Sequence, residues 1–198
     1  QKGFMLPAGL AIVGFSTKAM AACATSDLPT TFFDVGDMQK GYDANAFPYT
    51  PPVGLMNGLK LALKMLEEEG IDNVIARHHR IAQGVRAAVK AWGLELCATS
   101  PEVYSDTVSA IQTPDGFNAT DIVTHAAEVY GVAFGVGLGE VAGKVFRIGH
   151  LGMLTDVLML SGLATAEMCM VDLGLDIKLG SGVAAAQEYY RTNPAASK

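Results

Sequence analysis

Residues 151–175 form the most apolar stretch of this chain, and they restrict its fold more than any other feature. Asp156, Glu167 and Asp172 interrupt the stretch. A bilayer core would charge heavily for those carboxylates, so the stretch reads as a helix buried in protein, from about 155 to 173. A helix that is apolar on nearly every side needs a shell around it. The flanking sequence supplies one. Val74, Ile81, Val85 and Val89 recur at helical spacing between 72 and 92, with Arg77, Arg80, Arg86 and Lys90 as polar partners and Gly93 as the stop. Residues 94–99, 108–113, 132–134 and 144–148 read as strands, and Pro114-Asp115-Gly116 as a turn. Asn118 and Asp121 resemble a capping box that opens a helix to about Tyr130. A last helix over 182–191 precedes a polar tail. Residues 71–198 are thus expected to form a compact α+β unit with an antiparallel sheet of three or four strands.

Residues 1–70 have a different texture. The apolar run 10–15 lacks a helical period and reads as a buried strand. Ser16 can cap a short helix over 17–25. Residues 26–50 read as a long loop carrying Phe32, Phe33, Tyr42, Phe47 and Tyr49, and long irregular segments in compact proteins are commonly functional. Thr50-Pro51-Pro52 then opens a helix, with Thr50 as its cap, Leu55, Leu59, Leu63 and Leu66 as its apolar stripe and Gly70 as its stop. Glu67, Glu68 and Glu69 sit at the end the helix dipole disfavours, which suggests a solvated turn at a domain junction. One strand, two helices and a loop cannot close a core. Residues 1–70 are expected to be the remainder of a larger α/β domain.

Composition narrows the function classes. Half of the residues are hydrophobic and the net charge is −6, with no block of Lys or Arg. That argues against nucleic acid or an anionic membrane as partner. Cys23, Cys97 and Cys169 are far apart and form no CxxC, so neither a zinc ribbon nor a disulfide framework is expected, and a cytoplasmic location is the default. His78 and His79 are neighbours on a helix and point different ways, a polar helix face rather than a metal site; no metal is expected. Cys23 and Cys97 read as small buried residues. Gly135, Gly137 and Gly139 invite a dinucleotide reading, but a strand follows them where that motif requires a helix.

Two residues stand out as candidates for chemistry. Arg147 lies between Phe146 and Ile148 in an apolar strand, where an arginine is costly without an anion. Its partner is either an internal carboxylate or a bound one, since the planar guanidinium matches two carboxylate oxygens. Lys2 gains interest from its setting. Gln1-Lys2-Gly3-Phe4 leads through Pro7-Ala8-Gly9 toward the expected strand, which places the amine beside tight turns.

With those residues in view, a family resemblance emerges. QKGFMLPAGLAIVGFS, FPYTPPV at 47–53 and GVGLGEVAGKVFRIGHLG at 135–152 resemble, in that order, class V aminotransferases of fold type I. The likeness covers essentially the whole chain and is strongest to the alanine–, serine– and aspartate–glyoxylate group. It implies a fold type I pyridoxal phosphate (PLP) transferase: the C-terminal part of the large α/β domain over 1–70 and the small α+β C-terminal domain over 71–198. It implies transfer of an amino group from an L-amino acid, aspartate first and serine next, to glyoxylate, giving glycine, in a cytoplasmic homodimer with shared active sites. Lys2 matches the lysine that binds the cofactor as a Schiff base. Gln1 matches a glutamine at the cofactor phosphate, Thr50 a threonine reaching the phosphate of the neighbouring subunit, and Arg147 the arginine for the substrate α-carboxylate. One departure is Phe47, where some relatives carry a phosphate-binding tyrosine; Tyr49 is the nearest hydroxyl. The family also contains cysteine desulfurases, which need a reactive cysteine on a mobile loop, and lyases. A non-catalytic fragment or assembly module is the alternative of another class.

Overall fold

The computed structural model describes residues 1–195. Contacts divide them into two units, 1–64 and 65–198, the division falling inside a helix.

In the first unit, α1 spans Thr17–Thr25 and is capped as expected: the Ser16 hydroxyl accepts from the Ala19 N–H at 3.2 Å. The expected loop contains a second helix, α2 over Val35–Asp43, with Asp34 accepting from the Asp37 N–H at 2.8 Å. Gly36 and Gly41 mask its period in the sequence, yet the cap was there to be read. The run 10–15 is not a strand. It carries no regular structure, and residues 11–15 are exposed, with Ile12 at 74% and Val13 at 68%. A strand is a property of a pair, and none of the described residues pairs with this one. Helix α3 spans Val53–Glu69, and the Met56 N–H bonds the carbonyl of Pro52 at 3.0 Å. The helix therefore begins at the second proline, and Thr50 is not its cap. This is a correction with a consequence: the Thr50 hydroxyl is released from that task.

The second unit is built around a three-stranded antiparallel sheet in the order β1-β3-β2, with β1 at Val108–Gln112, β2 at Gly135–Val136 and β3 at Val145–Gly149. Two expected strands shift. Residues 94–99 contribute only a bridge from Leu96 to Ile111, and β2 lies past 132–134, within the Gly-rich segment. Helix α4 spans Ile71–Ala91 and buries Val74, Ile81, Val85 and Val89, the stripe read from the sequence. Helix α5 (Ala119–Tyr130) starts at Asn118, which accepts from the Thr120 N–H, and α6 (Asp156–Asp172) starts at Thr155, which accepts from the Leu158 N–H. Helix α7 spans Ser181–Thr192. No helix among the described residues is long and apolar enough to cross a membrane. Phe146, Ile148, Ile111, Ile122, Leu163 and Met170 form the centre of the core.

Glycines let two helices approach α7 closely. A Cβ on Gly84 of α4 would stand 2.2 Å from Tyr190 Cζ, so only a bare backbone fits under that ring. Glu167 of α6 is 1% exposed, and its carboxylate accepts from Trp92 Nε1 and from the N–H groups of Gly180, Gly182 and Val183. An acid that merely interrupts an apolar stretch in the sequence thus holds the N-terminus of α7, where helix amides and dipole favour an anion.

Candidate active site

Gln1 and Lys2 lie in a tight turn. The Met5 N–H bonds the Lys2 carbonyl at 3.0 Å and the Leu6 N–H bonds the Gln1 carbonyl at 3.1 Å. Met5 adopts φ +56°, the left-handed region that non-glycine residues pay about 1 kcal/mol or more to occupy. The turn is seated on α3. Leu6 Cδ2 would be 2.8 Å from a Cβ on Gly58, and Leu55 Cδ1 2.7 Å from one on Gly9. Gly58 is thus a notch that the lysine turn fills, a feature the helical period alone did not mark. Both Gln1 and Lys2 are exposed, and their side chains bond no described residue. Thr50, exposed just ahead of α3, likewise has a free hydroxyl. A primary amine, an amide and a hydroxyl with no other engagement suit an aldehyde that carries a phosphate: the amine can condense with the carbonyl, and the other two can donate to phosphate oxygens. Tyr49 is a poorer donor. Its ring packs on Phe32 at 4.8 Å and its hydroxyl is turned to the Thr31 carbonyl at 3.4 Å.

Arg147 sits in the second unit, on the central strand. Alternation places Phe146 and Ile148 in the core and Arg147 on the opposite face of the sheet, half-buried between Ala110 on β1 and Gly135 on β2. Its Nε–H donates to the Val136 carbonyl at 2.9 Å. Among the described residues no carboxylate pairs with it. Its two terminal nitrogens have no described partner, and together they present the fork that a carboxylate fits.

The segment after β3 is pinned by two histidines. His150 is fully buried; its Nδ1 faces the Asp106 carbonyl at 3.0 Å and its Nε2 the Ser109 hydroxyl at 2.9 Å. Nδ1 must therefore be the donor, and Ser109 donates to Nε2. Burial pushes this imidazole down to about 4, so it is neutral at pH 7. His78, read as part of a polar face, is in fact buried; its Nε2 accepts from the Gly152 N–H at 3.0 Å, while Arg77 donates to the Gly152 carbonyl at 2.8 Å. Arg77 is itself clamped by Glu69, which gives one of the acids at the end of α3 a partner. Among the described residues no group of His, Cys, Asp or Glu is arranged to hold a metal ion.

The cysteines are not arranged as a nucleophile site. Cys169 is buried, and burial raises its thiol to about 11. Cys23, expected inside, is exposed on α1, and Cys97 is half-buried. An open cleft of ≈ 630 Å³ between the end of α4 and residues 94–99, lined by Arg86, Lys90, Glu95 and Tyr104 among others, contains none of the four candidate residues.

The fold of the chain is shared with known enzymes. The pyridoxamine–pyruvate aminotransferase structure from Mesorhizobium loti matches with a TM-score of 0.81 and 33% identity, covering 91% of this chain and 47% of that one. The ureidoglycine–glyoxylate aminotransferase of Bacillus subtilis superposes with a TM-score of 0.88 at 21% identity, covering 96% of this chain and 50% of that one, which speaks to the fold alone. The chain has the fold of the fold type I aminotransferases, a PLP-dependent group, and resembles its class V members. It is 68% identical over all 198 residues to the L-aspartate–glyoxylate aminotransferase of Paracoccus denitrificans, of which it covers 50%. It is 52% identical over 195 residues to the serine–glyoxylate aminotransferase of Hyphomicrobium methylovorum, of which it covers 48%. The chain thus spans about half the length of the curated relatives it matches. No protein-family model matches it.

Proposed function

We propose that this chain belongs to an aminotransferase that moves the amino group of an L-amino acid, aspartate first and serine next, to glyoxylate, giving glycine. The observation that carries this reading is the 68% identity, extending over every residue of the chain, to an enzyme named for that pair of substrates. The residues fit the family's cofactor. When bound, PLP supplies an aldehyde that captures amines and a ring that accepts electrons from the bonds around the amino acid's Cα. Lys2 offers the amine that holds the aldehyde and afterwards carries a proton as general base. Gln1 and Thr50 donate to the phosphate. Arg147 binds the α-carboxylate of the amino acid and of glyoxylate through its two terminal nitrogens. In this reading residues 1–70 belong to the large cofactor domain and 71–198 are the small domain. Thr50 serves the neighbouring subunit of a homodimer, and the location is cytoplasmic.

The test is Lys2→Ala in the full-length protein, followed by visible absorbance and by turnover with aspartate and glyoxylate. Both the lysine-linked cofactor band and turnover are expected to vanish. Turnover at the wild-type rate without that band would overturn the role of Lys2. Comparing kcat/KM for aspartate and serine fixes the donor, and sedimentation of the active enzyme tests the dimer.

A further inference from the structure

Gly135 has no conformational reason to be glycine. Its backbone lies outside the left-handed region, where ten other glycines of the chain are found. The three atoms nearest to a side chain built there all belong to Arg147. A Cβ built on Gly135 would stand 3.1 Å from Arg147 Cβ, 3.1 Å from Nε and 3.4 Å from Cζ. The two residues are registered directly across the β2–β3 ladder, so the arginine side chain turns along its own sheet and lies flat on the bare backbone of Gly135. In that position its Nε–H reaches the carbonyl of Val136, the next residue of the same strand, at 2.9 Å. One hydrogen bond from Nε fixes the plane of the guanidinium, because Nε, Cζ and both terminal nitrogens are coplanar. The terminal nitrogens remain free. Ala110, registered across from Arg147 on the other side, is small as well.

We propose that Gly135 is a positioning residue for Arg147: it keeps the β2 surface bare so that the guanidinium lies flat, bonds Val136 through Nε and presents its outer edge to a substrate carboxylate. The inference rests on the reading of Arg147 as the carboxylate-binding residue. Adding one methyl group would not break the strand. It would lift the side chain by a few tenths of an ångström or more and weaken a bond that already lies near its ideal length. An arginine free to rotate keeps its charge but loses the bidentate geometry, so carboxylate binding should suffer more than turnover at saturation.

The test is a double-mutant cycle in the full-length enzyme with Gly135→Ala, Arg147→Lys and the pair. Gly135→Ala is expected to raise KM for glyoxylate about 10-fold while kcat changes less than about threefold, consistent with loss of ground-state binding. In the Arg147→Lys background, Gly135→Ala should have almost no further effect, because lysine has no plane to fix. If Arg147→Lys leaves KM unchanged, the carboxylate reading of Arg147 fails. If Arg147→Lys raises KM but Gly135→Ala does not, or if the two effects simply multiply, the positioning role of Gly135 fails alone. Should Gly135→Ala not fold, the crystal structure of the unaltered full-length enzyme decides: an Arg147 guanidinium turned away from Val136 overturns the proposal, and one lying over Gly135 with its outer nitrogens on glyoxylate supports it.

Discussion

Replacing Glu167 by glutamine changes one atom and tests how the second unit is locked. Oε1 accepts from Trp92 at 2.8 Å, Gly182 at 2.5 Å and Val183 at 3.1 Å, and Oε2 from Gly180 at 2.7 Å. A glutamine carbonyl can occupy only one of the two oxygen positions. If it takes that of Oε1, three bonds survive without their charge, and its NH₂ faces the Gly180 N–H, donor against donor. A charge-assisted bond exceeds a neutral one by about 1 kcal/mol, and an orphaned buried donor costs about 1–3 kcal/mol. Against this, removing a buried charge recovers part of a desolvation penalty of several kcal/mol. The balance is a loss of about 2 kcal/mol for Glu167→Gln and about 4 kcal/mol for Glu167→Ala, which orphans all four donors. Urea unfolding of the full-length protein, followed by fluorescence, measures both. Trp92 donates to this carboxylate through its indole N–H, so the emission difference between wild type and Glu167→Gln should report on the altered bond. A Glu167→Gln variant within about 0.5 kcal/mol of wild type, with an unchanged denaturant slope, would show that this carboxylate does not hold the helix end.

Two further outcomes follow from the packing and the buried ring. Gly84→Ala should destabilise by about 2–3 kcal/mol, because the new methyl meets the Tyr190 ring at 2.2 Å; in a Tyr190→Val background the penalty should shrink, as urea midpoints of the four proteins will show. His150 is neutral in the native state, with its value depressed to about 4, whereas the unfolded ring titrates near its ordinary 6.5. Between those values the unfolded chain binds a proton that the native ring refuses, so the contribution of His150 is full above about pH 6.5 and is lost as pH falls toward 4, by an amount of order 3 kcal/mol. Comparing the pH dependence of stability in wild type and His150→Phe isolates that share; identical slopes between pH 7 and 4.5 would contradict it.

Much of the second unit is written locally. The stripe of α4, the caps at Asn118 and Thr155 and the apolar stretch of α6 follow from 3.6-residue periodicity and short-range side-chain bonds, and the structure keeps them within a residue or two. Strands were less legible. The segment 10–15 has a strand's composition and no partner among the described residues, and β2 falls within the Gly-rich segment past 132–134, because pairing is decided by a neighbour distant in sequence. Helix α2 was hidden by Gly36 and Gly41, whose cost to a helix is offset here by the Asp34 cap.

The resemblance was legible in the sequence alone: the segments around Lys2, Thr50 and Arg147, taken together and in order, carry enough pattern to point to the aminotransferases that the chain is similar to. What a sequence could not decide is how each is held. That Thr50 is released from capping, that the lysine turn rests in the notch at Gly58, and that Arg147 lies on Gly135 and bonds Val136 are consequences of the tertiary fold. The physical reason is the same in each case. Propensity and capping act over three or four residues, whereas the orientation of a side chain is fixed by atoms that the folded chain brings from elsewhere.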